Sequence, residues 1–485
     1  MIPLFAAKQG QYNRTMNNAC ESITALSRGG EIFRVSSEKR LVKVAAPDLS
    51  PLEAQIRSLT KIEYFHHPFS AIAAVSQTGK IVSIWKIHPN TFYPLTPLDF
   101  IDPISDFYRG VLPTPVTIFT DLTDKCNLSC NMCFARGKRE SLPQTSIPTY
   151  AYLETLRFVK SSDKIFSQGI SGGGEPSIHP DFLEILDYSG RNNISTFVTT
   201  NGSRSDAAFI RSISQNTSVL VFSLQGVSNK SYGEITGSNS GSALDSILKN
   251  IQAVIRNRGL FDREKELLIG VNSIVHPNNS GYYFDFVRRL VGIGVDFIHF
   301  NPVLPSLKKY GLHFNDFQTK KTQEEFSLIF QQFGGAGTFI RAPERIFLNE
   351  GTYYFDPHLR KNPDVCLVSL LQPCIIPSGK PDQAIVATCR FHPNTTENPN
   401  FWYTDNLGPT SFKSIWTLDN LHNIQIQTSK CAECCSERQV MALDWMLHVM
   451  RSMPEARDFY LLFDSAKEND NVLRFYKTIE NSYNE

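Results

Sequence analysis

"TPVTIFTDLTDKCNLSCNMCFARG", residues 114–137, runs an apolar, β-branched stretch directly into three cysteines spaced C-x3-C-x2-C. The alternation through Val116 and Ile118 reads as a strand. Cys126, Cys130 and Cys133 then fall in the loop at its carboxyl end, where α/β barrels carry their chemistry. Thiolate sets select soft metals, zinc or iron with sulfide, and spacing alone does not separate the two. A closed zinc site needs a fourth ligand, and the next histidine along the chain is His179.

Outward from this stretch, short β-rich runs alternate with longer amphipathic ones, the pattern of parallel βα units. The strands are "TPVTIFTDLT", "KIFSQGIS", "ISTFVTTNG", "SVLVFSLQG", "ELLIGVNSIV" and "VDFIHFNPV". An α/β fold follows, a partial TIM-like barrel of six βα units over residues 113–338. The helix after the fourth strand sets Leu244, Ile247, Leu248, Ile251, Val254 and Ile255 on one stripe, fit to cover the sheet. In "TQEEF", Thr322 and Glu325 have capping-box spacing and predict a helix opening there and running to about Gly334.

Residues 1–112 read as a separate α+β unit. "EIFRV" and "RLVKVAA" alternate like strands, "SPLEAQIRSLTKI" is helical in period, and "AIAAVSQTGKIVSIWKI" reads as a hairpin turning at Gly79. A proline-rich connection precedes residue 113. Residues 339–485 lose the regular alternation and gain prolines and cysteines before returning to helix in "QVMALDWMLHVM" and "VLRFYKTIEN". Bound metal would supply part of the stability of such a segment.

The bulk composition narrows the function. Among 485 residues, 48 basic against 47 acidic side chains leave a net charge of +1, too little field to gather nucleic acid or an anionic membrane. No run of 18 apolar residues occurs, and "MIPLFAAKQGQYNR" is too weakly apolar for a signal peptide, so a cytoplasmic location is expected. In that reducing compartment, nine of ten cysteines gathered into a trio and a set of six, with Cys20 apart, point to metal ligation and not to disulfides.

Residues 114–330 resemble the radical S-adenosylmethionine superfamily. In that family three cysteines at this spacing hold a 4Fe-4S cluster whose open iron binds S-adenosylmethionine, and reductive cleavage yields a 5'-deoxyadenosyl radical that abstracts hydrogen from a substrate. The resemblance makes Cys126, Cys130 and Cys133 the cluster ligands. Met132 stands where the family usually has an aromatic, with Phe134 following, and either can supply the apolar contact to adenine. "GISGGGEPSIHPDF" carries Gly173, Gly174 and Glu175 in a GGEP-like motif for the methionine amino group. Glycines there admit close backbone approach and a carboxylate suits an ammonium. Asn201, Ser223 and Asn272 end the next strands, where relatives place polar groups for ribose or carboxylate. The family's commoner "SLDG" is here "SLQG", with Gln225 in place of the acid.

The second cysteine set resembles the twitch extension, the shorter relative of the SPASM domain. That resemblance implies a second, auxiliary cluster, with Cys366 or Cys374 before the glycine turn at Gly379, then Cys389, Cys431 and Cys434. Structural zinc is the other reading of four thiolates. With Cys366 as ligand, Cys374 becomes a spare thiol and a candidate catalytic hydrogen-atom donor, and Cys435 is left over. The resemblance further implies a flavodoxin or ferredoxin as electron donor. Its members act on ribosomally made precursor peptides, by epimerisation, crosslinking or oxidation, or on small molecules such as sugars or nucleosides. A non-catalytic iron-sulfur electron carrier would use the cysteines but has no need of a methionine-binding strand end.

Overall fold

The computed structural model describes five N-terminal strands by their pairing, and residues 110–133, 135–141, 143–162, 167–261, 267–301, 312–333, 338–341, 372–387 and 402–428. The N-terminal strands are β1 (Ser22–Leu26), β2 (Ile32–Val35), β3 (Leu41–Val44), β4 (Ser70–Val75) and β5 (Ile81–Ile87). They form one antiparallel sheet in the order β3-β2-β1-β4-β5. The alternating runs at β2 and β3 and the β4–β5 hairpin match the sequence pattern, whereas β1 was not expected: "SITAL" has only two large apolar residues. The helix predicted within residues 50–62 and the turn at Gly79 lie outside the described residues.

The second sheet begins at β6 (Thr117–Thr120). After it come α1 (Arg136–Ser141), α2 (Thr149–Lys160), β7 (Ser167–Ile170), α3 (Phe182–Arg191), β8 (Ser195–Thr200), α4 (Ala207–Asn216), β9 (Val219–Ser223), α5 (Asn229–Thr236) and α6 (Ala243–Arg258). The series continues through β10 (Leu268–Ile274), α7 (Tyr283–Ile293), β11 (Phe297–Asn301), α8 (Asp316–Phe333) and β12 (Phe339–Arg341). Strands β6 to β12 pair in chain order and all in parallel, as βα units require. All six predicted strands are present, and β12 adds a short seventh.

Alternation along each strand divides two apolar layers. Ile118, Ile170, Val198, Leu220, Ile269 and Ile298 face the helices and join the main core, where Leu244, Ile247, Leu248, Ile251 and Val254 of α6 are buried as predicted. Phe197, Val219, Val221 and Phe297 form a second cluster on the opposite, inner face. The same register carries polar residues along that face toward the carboxyl ends, with Ser223 beside Asn272 and Asn272 beside His299.

The last elements are β13 (Cys374–Pro377), β14 (Ala384–Ala387), β15 (Trp402–Leu407), α9 (Phe412–Ile415) and α10 (Leu418–Thr428). They do not form a separate sheet. Strand β13 pairs in parallel with β6, and β14 and β15 follow antiparallel, giving a ten-stranded sheet in the order β12-β11-β10-β9-β8-β7-β6-β13-β14-β15. The hairpin turns at Gly379, whose φ of 78° is left-handed. The two helices predicted beyond residue 435 lie outside the described residues.

One expectation is corrected. Helix α8 starts at Asp316, so Thr322 lies inside it and caps nothing. Its hydroxyl donates to Ser280 Oγ (2.9 Å), and the Glu325 carboxylate accepts from the Gly281 N–H (2.6 Å) and the Phe284 N–H (3.4 Å). The capping carboxylate therefore serves the neighbouring helix α7, across a helix–helix contact that sequence spacing does not reveal. Glu325→Ala should remove that cap and cost about 1–2 kcal/mol, read as a lowered midpoint of urea denaturation.

The turn after β10 holds a second buried group. His276 is buried, its Nδ1 accepts from the Asn278 N–H (3.1 Å), and burial lowers its pKa from 6.5 to about 4. Because the folded state resists the proton that the unfolded chain takes up below 6.5, this site's stabilisation is complete above that pH and is lost as pH falls toward 4. His276→Asn, which keeps a side-chain acceptor, should flatten the fall in thermal midpoint over that window.

Candidate active site

The three-cysteine loop leaves β6 at the carboxyl edge of the parallel sheet. Its course is set by backbone bonds to three elements. The Asp124 N–H donates to the Thr145 carbonyl (2.9 Å). The Ser129 N–H (2.9 Å) and Asn131 N–H (2.9 Å) donate to the Thr236 and Ile235 carbonyls at the end of α5. The glycine-rich turn after β7 returns two more bonds, from the Gly174 N–H to the Thr123 carbonyl (2.7 Å) and from the Glu175 N–H to the Lys125 carbonyl (2.8 Å).

The last pair explains the glycines differently from the sequence reading. A Cβ at Gly174 would collide with the Lys125 carbonyl, and Gly173, at φ 63°, lies against Asp121 and Thr123. The missing side chains let the turn approach the cysteine loop itself. Glu175 is 3% exposed. One of its oxygens accepts from the Ser177 N–H (3.1 Å) and the Thr200 hydroxyl (2.7 Å), the other from the Asn201 N–H (2.7 Å). The carboxylate thus ties β7 to β8 at the rim, and the oxygen that accepts only from Asn201 keeps acceptor capacity for a cation.

The structure brings most of the sequence-derived site residues to one rim. Cys126, Cys130 and Cys133 are half-buried free thiols. Met132 packs with Ile235, Cys130, Ile274 and Leu312, an apolar wall beside the triad. The Asn201 amide donates to Asn127 Oδ1 (2.7 Å), and the Asn127 amide donates to Ser203 Oγ (2.9 Å), fastening the cysteine loop to the end of β8. Ser223 accepts from the Gln225 amide (2.6 Å), whose oxygen accepts from the Ile274 N–H (3.0 Å). Asn272 accepts from the Asn301 amide. Gln225 in place of an acid thus leaves two uncharged hydrogen-bonded pairs, Ser223 with Gln225 and Asn272 with Asn301, at the ends of β9 to β11.

Cys374 is placed elsewhere. It opens β13 in register with Phe119, is 0% exposed, and packs with Phe119, Ile376, Ile385 and Ala387. Phe134, Cys366, Cys389, Cys431, Cys434 and Cys435 lie outside the described residues.

Sequence reading missed the charged residues of α1. The Lys138 ammonium donates to Asp124 Oδ1 (2.9 Å) and to the Pro377 carbonyl of β13 (3.2 Å), and the Arg139 guanidinium donates to Cys133 Sγ (3.5 Å). Periodicity gave no sign of them, although their place five and six residues beyond Cys133, on one helix turn, was a usable signal. Tyr232 of α5 was also missed. Burial and the charges of Cys130, Glu175 and Cys126 raise its phenol pKa, which sets it inside the field of the site.

The donor set fits an iron-sulfur cluster. Burial first, then the neighbouring Cys133 and Cys126, push the Cys130 thiol up to about 12, against the pull of Arg139. Burial likewise raises Cys126, opposed by the Leu128 N–H and Arg139. Thiols at Cys126 and Cys130 whose ionisation burial opposes, with Cys133 on the same loop, suit a multivalent centre whose positive charge stabilises thiolates. Among the described residues, no three or more His, Cys, Asp or Glu side chains are gathered to hold a single metal ion.

Fold and site together define an α/β-barrel protein with a thiolate-cluster loop at the carboxyl ends of its strands. Residues 120–263 match the family model described as the Radical SAM superfamily, and the chain carries a domain of that superfamily. A 4Fe-4S cluster and S-adenosylmethionine are the groups that such a domain takes.

Among curated proteins, mycofactocin maturase MftC of Mycobacterium ulcerans is 27% identical over 185 residues, 38% of this chain and 46% of that one. The antilisterial bacteriocin subtilosin biosynthesis protein AlbA of Bacillus subtilis is 25% identical over 195 residues, 39% of this chain and 40% of that one. The matched stretch thus spans less than half the length of each of these relatives. Among solved structures, Streptococcus suis SuiB bound to precursor peptide SuiA shares 16% identity over 70% of this chain and 73% of that chain, with a TM-score of 0.48. Among the described residues, no helix is long and apolar enough to cross a membrane.

Gly174→Ala tests the close approach of the two loops. It should cost about 1–3 kcal/mol through overpacking and displace the cysteine loop, seen as reduced iron bound per chain after anaerobic reconstitution.

Proposed function

We propose that the chain is a radical S-adenosylmethionine enzyme that modifies a ribosomally made precursor peptide by epimerisation, crosslinking or oxidation. The observation that carries the enzymatic reading is the lacing of the cysteine triad's loop to the Gly173–Glu175 turn, which sets a cluster-binding edge and a cation-accepting carboxylate side by side. The peptide reading is supported by the relatives, a maturase and a bacteriocin-biosynthesis protein. A cytoplasmic location and a flavodoxin or ferredoxin as reductant belong to the same proposal.

When bound, the cluster and S-adenosylmethionine supply one-electron reductive cleavage to a 5'-deoxyadenosyl radical, which takes a hydrogen atom from the substrate. The chain's own residues bind and orient. Cys126, Cys130 and Cys133 give three thiolates to the cluster. Glu175 accepts from the ammonium of S-adenosylmethionine while Ser177, Thr200 and Asn201 hold its two oxygens in place. Met132 gives apolar contact to the adenine, and Phe134, next to the third thiol, is the other candidate for that contact. Ser223, Gln225, Asn272 and Asn301 offer neutral donors and acceptors to the polar parts of the nucleoside.

For an auxiliary cluster, the candidates are Cys366 or Cys374 with Cys389, Cys431 and Cys434. A donor role for Cys374 requires a substrate radical to reach a thiol walled in by Phe119 and Ile376. Apolar burial keeps such thiols inert, so its placement favours packing or ligation.

The test is anaerobic reconstitution with iron and sulfide, then incubation with dithionite and S-adenosylmethionine, followed by chromatography for 5'-deoxyadenosine. The expected result is product from the full chain and none from Cys130→Ala. A full chain with intact clusters that never yields 5'-deoxyadenosine sinks the enzymatic reading and leaves an electron carrier. A mass shift in a short precursor encoded beside this chain supports the peptide substrate, whereas turnover of a sugar or nucleoside in its place overturns it.

A further inference from the structure

The charges on α1 are not distributed evenly. Arg136 pairs with Glu140 (2.6 Å) and Lys138 with Asp124 (2.9 Å). The third cation of α1 is Arg139. Among the described residues it makes no ion pair with a carboxylate, and its guanidinium donates to Cys133 Sγ at 3.5 Å. The side chain is half-buried, and its backbone is fixed at both ends, the Arg139 N–H donating to the Ala135 carbonyl (3.1 Å) and the Gln144 amide donating to the Arg139 carbonyl (3.3 Å).

We propose that Arg139 is a positioning residue that raises the reduction potential of the triad-held cluster, acting through its charge-assisted bond to Cys133. The inference rests on the cluster reading given above. Reduction passes one electron from a low-potential donor to the cluster, and no bond to Arg139 forms or breaks. The electron adds one negative charge to a centre already carrying three thiolates. Hydrogen bonds to sulfur and nearby net charge are the protein's levers on such potentials, and a fixed cation favours the more negative state. The α5 carbonyls at Ile235 and Thr236, which hold the loop through Asn131 and Ser129, present the negative end of a helix. Arg139 is the charge that opposes it. An arginine serves better than a lysine here, because its planar fork fixes the geometry and its charge persists at every working pH.

The experiment is a redox titration of the full chain, reconstituted anaerobically, with dithionite as reductant and the reduced cluster followed by electron paramagnetic resonance. A variant with Cys126, Cys130 and Cys133 all replaced by alanine supplies the signal of any auxiliary cluster for subtraction. Arg139→Gln and Arg139→Met should retain the triad's iron and shift the one-electron equilibrium at least tenfold toward the oxidised form, about 59 mV. Arg139→Lys should shift it less. Unchanged potentials in both neutral variants overturn the proposal, as does loss of the triad's iron in both, which would make Arg139 a structural support. If the triple-alanine variant binds as much iron as the full chain, the cluster reading itself has failed, a different result from an unchanged potential.

Discussion

Two backbone hydrogen bonds, from Gly174 and Glu175 to the carbonyls of Thr123 and Lys125, are the constraint on which the site depends. They join the loop after the first barrel strand to the turn after the second, and they form only because residue 174 has no side chain. With the two loops in contact, the Glu175 carboxylate lands beside the cysteine loop and closes onto β8 through Thr200 and Asn201. Asn201 in turn grips Asn127 between the first and second cysteines. Three consecutive strand ends thus fix one loop, chiefly through backbone groups that vary little with neighbouring side chains. Holding a site rigid before its ligand arrives reduces the ordering cost of binding.

Electrostatics then set what this rigid rim can hold. Asp124, Glu175 and three thiols crowd the edge with acidic groups, and burial raises the pKa of Asp124 even with Lys138 beside it. Lys138 and Arg139 offset that crowding from one turn of α1, each in a different way. Lys138 pairs with a carboxylate and with the Pro377 carbonyl, so it neutralises and braces. Arg139 faces sulfur, so its charge bears on the Cys133 thiol.

The strands were the most legible part of the fold, because parallel strands buried on both faces show as dense β-branched runs in regular alternation with amphipathic helices. The α6 stripe was legible for the same reason. What failed depended on contacts distant in sequence. The Thr322/Glu325 spacing has the form of a capping box, yet Glu325 caps a helix more than thirty residues upstream, a partner that a local pattern cannot name. Strand β12 is three residues long, too short for a period to emerge. At the site, the cysteines and the glycine-acid turn were legible as spacing. The reason for the glycines was not, because it lies in which loop they meet. Arg139 was given no role, although its closeness to Cys133 in sequence was a signal, because a basic residue on a short helix ordinarily points to solvent.

The placement of the β13–β14 hairpin is a further consequence of the same edge. A parallel sheet that stops short of closing leaves its first strand with an unpaired side, and exposed edges are a liability that folds cover. Here β13 pairs with β6, burying Cys374 against Phe119. Its far end is then stitched to the cysteine loop. The Pro377 carbonyl accepts from Lys138, and the Gly379 N–H donates to Thr145 Oγ1 (3.2 Å), next to the carbonyl that receives the Asp124 N–H. The hairpin that precedes Cys389 in the chain therefore begins on a strand in register with the first barrel strand and bonded to the cysteine loop. Any displacement of that hairpin would have to break the β6 pairing or withdraw a carbonyl from a buried lysine. The cysteine loop and the β13–β14 hairpin are joined by these bonds, not merely adjacent.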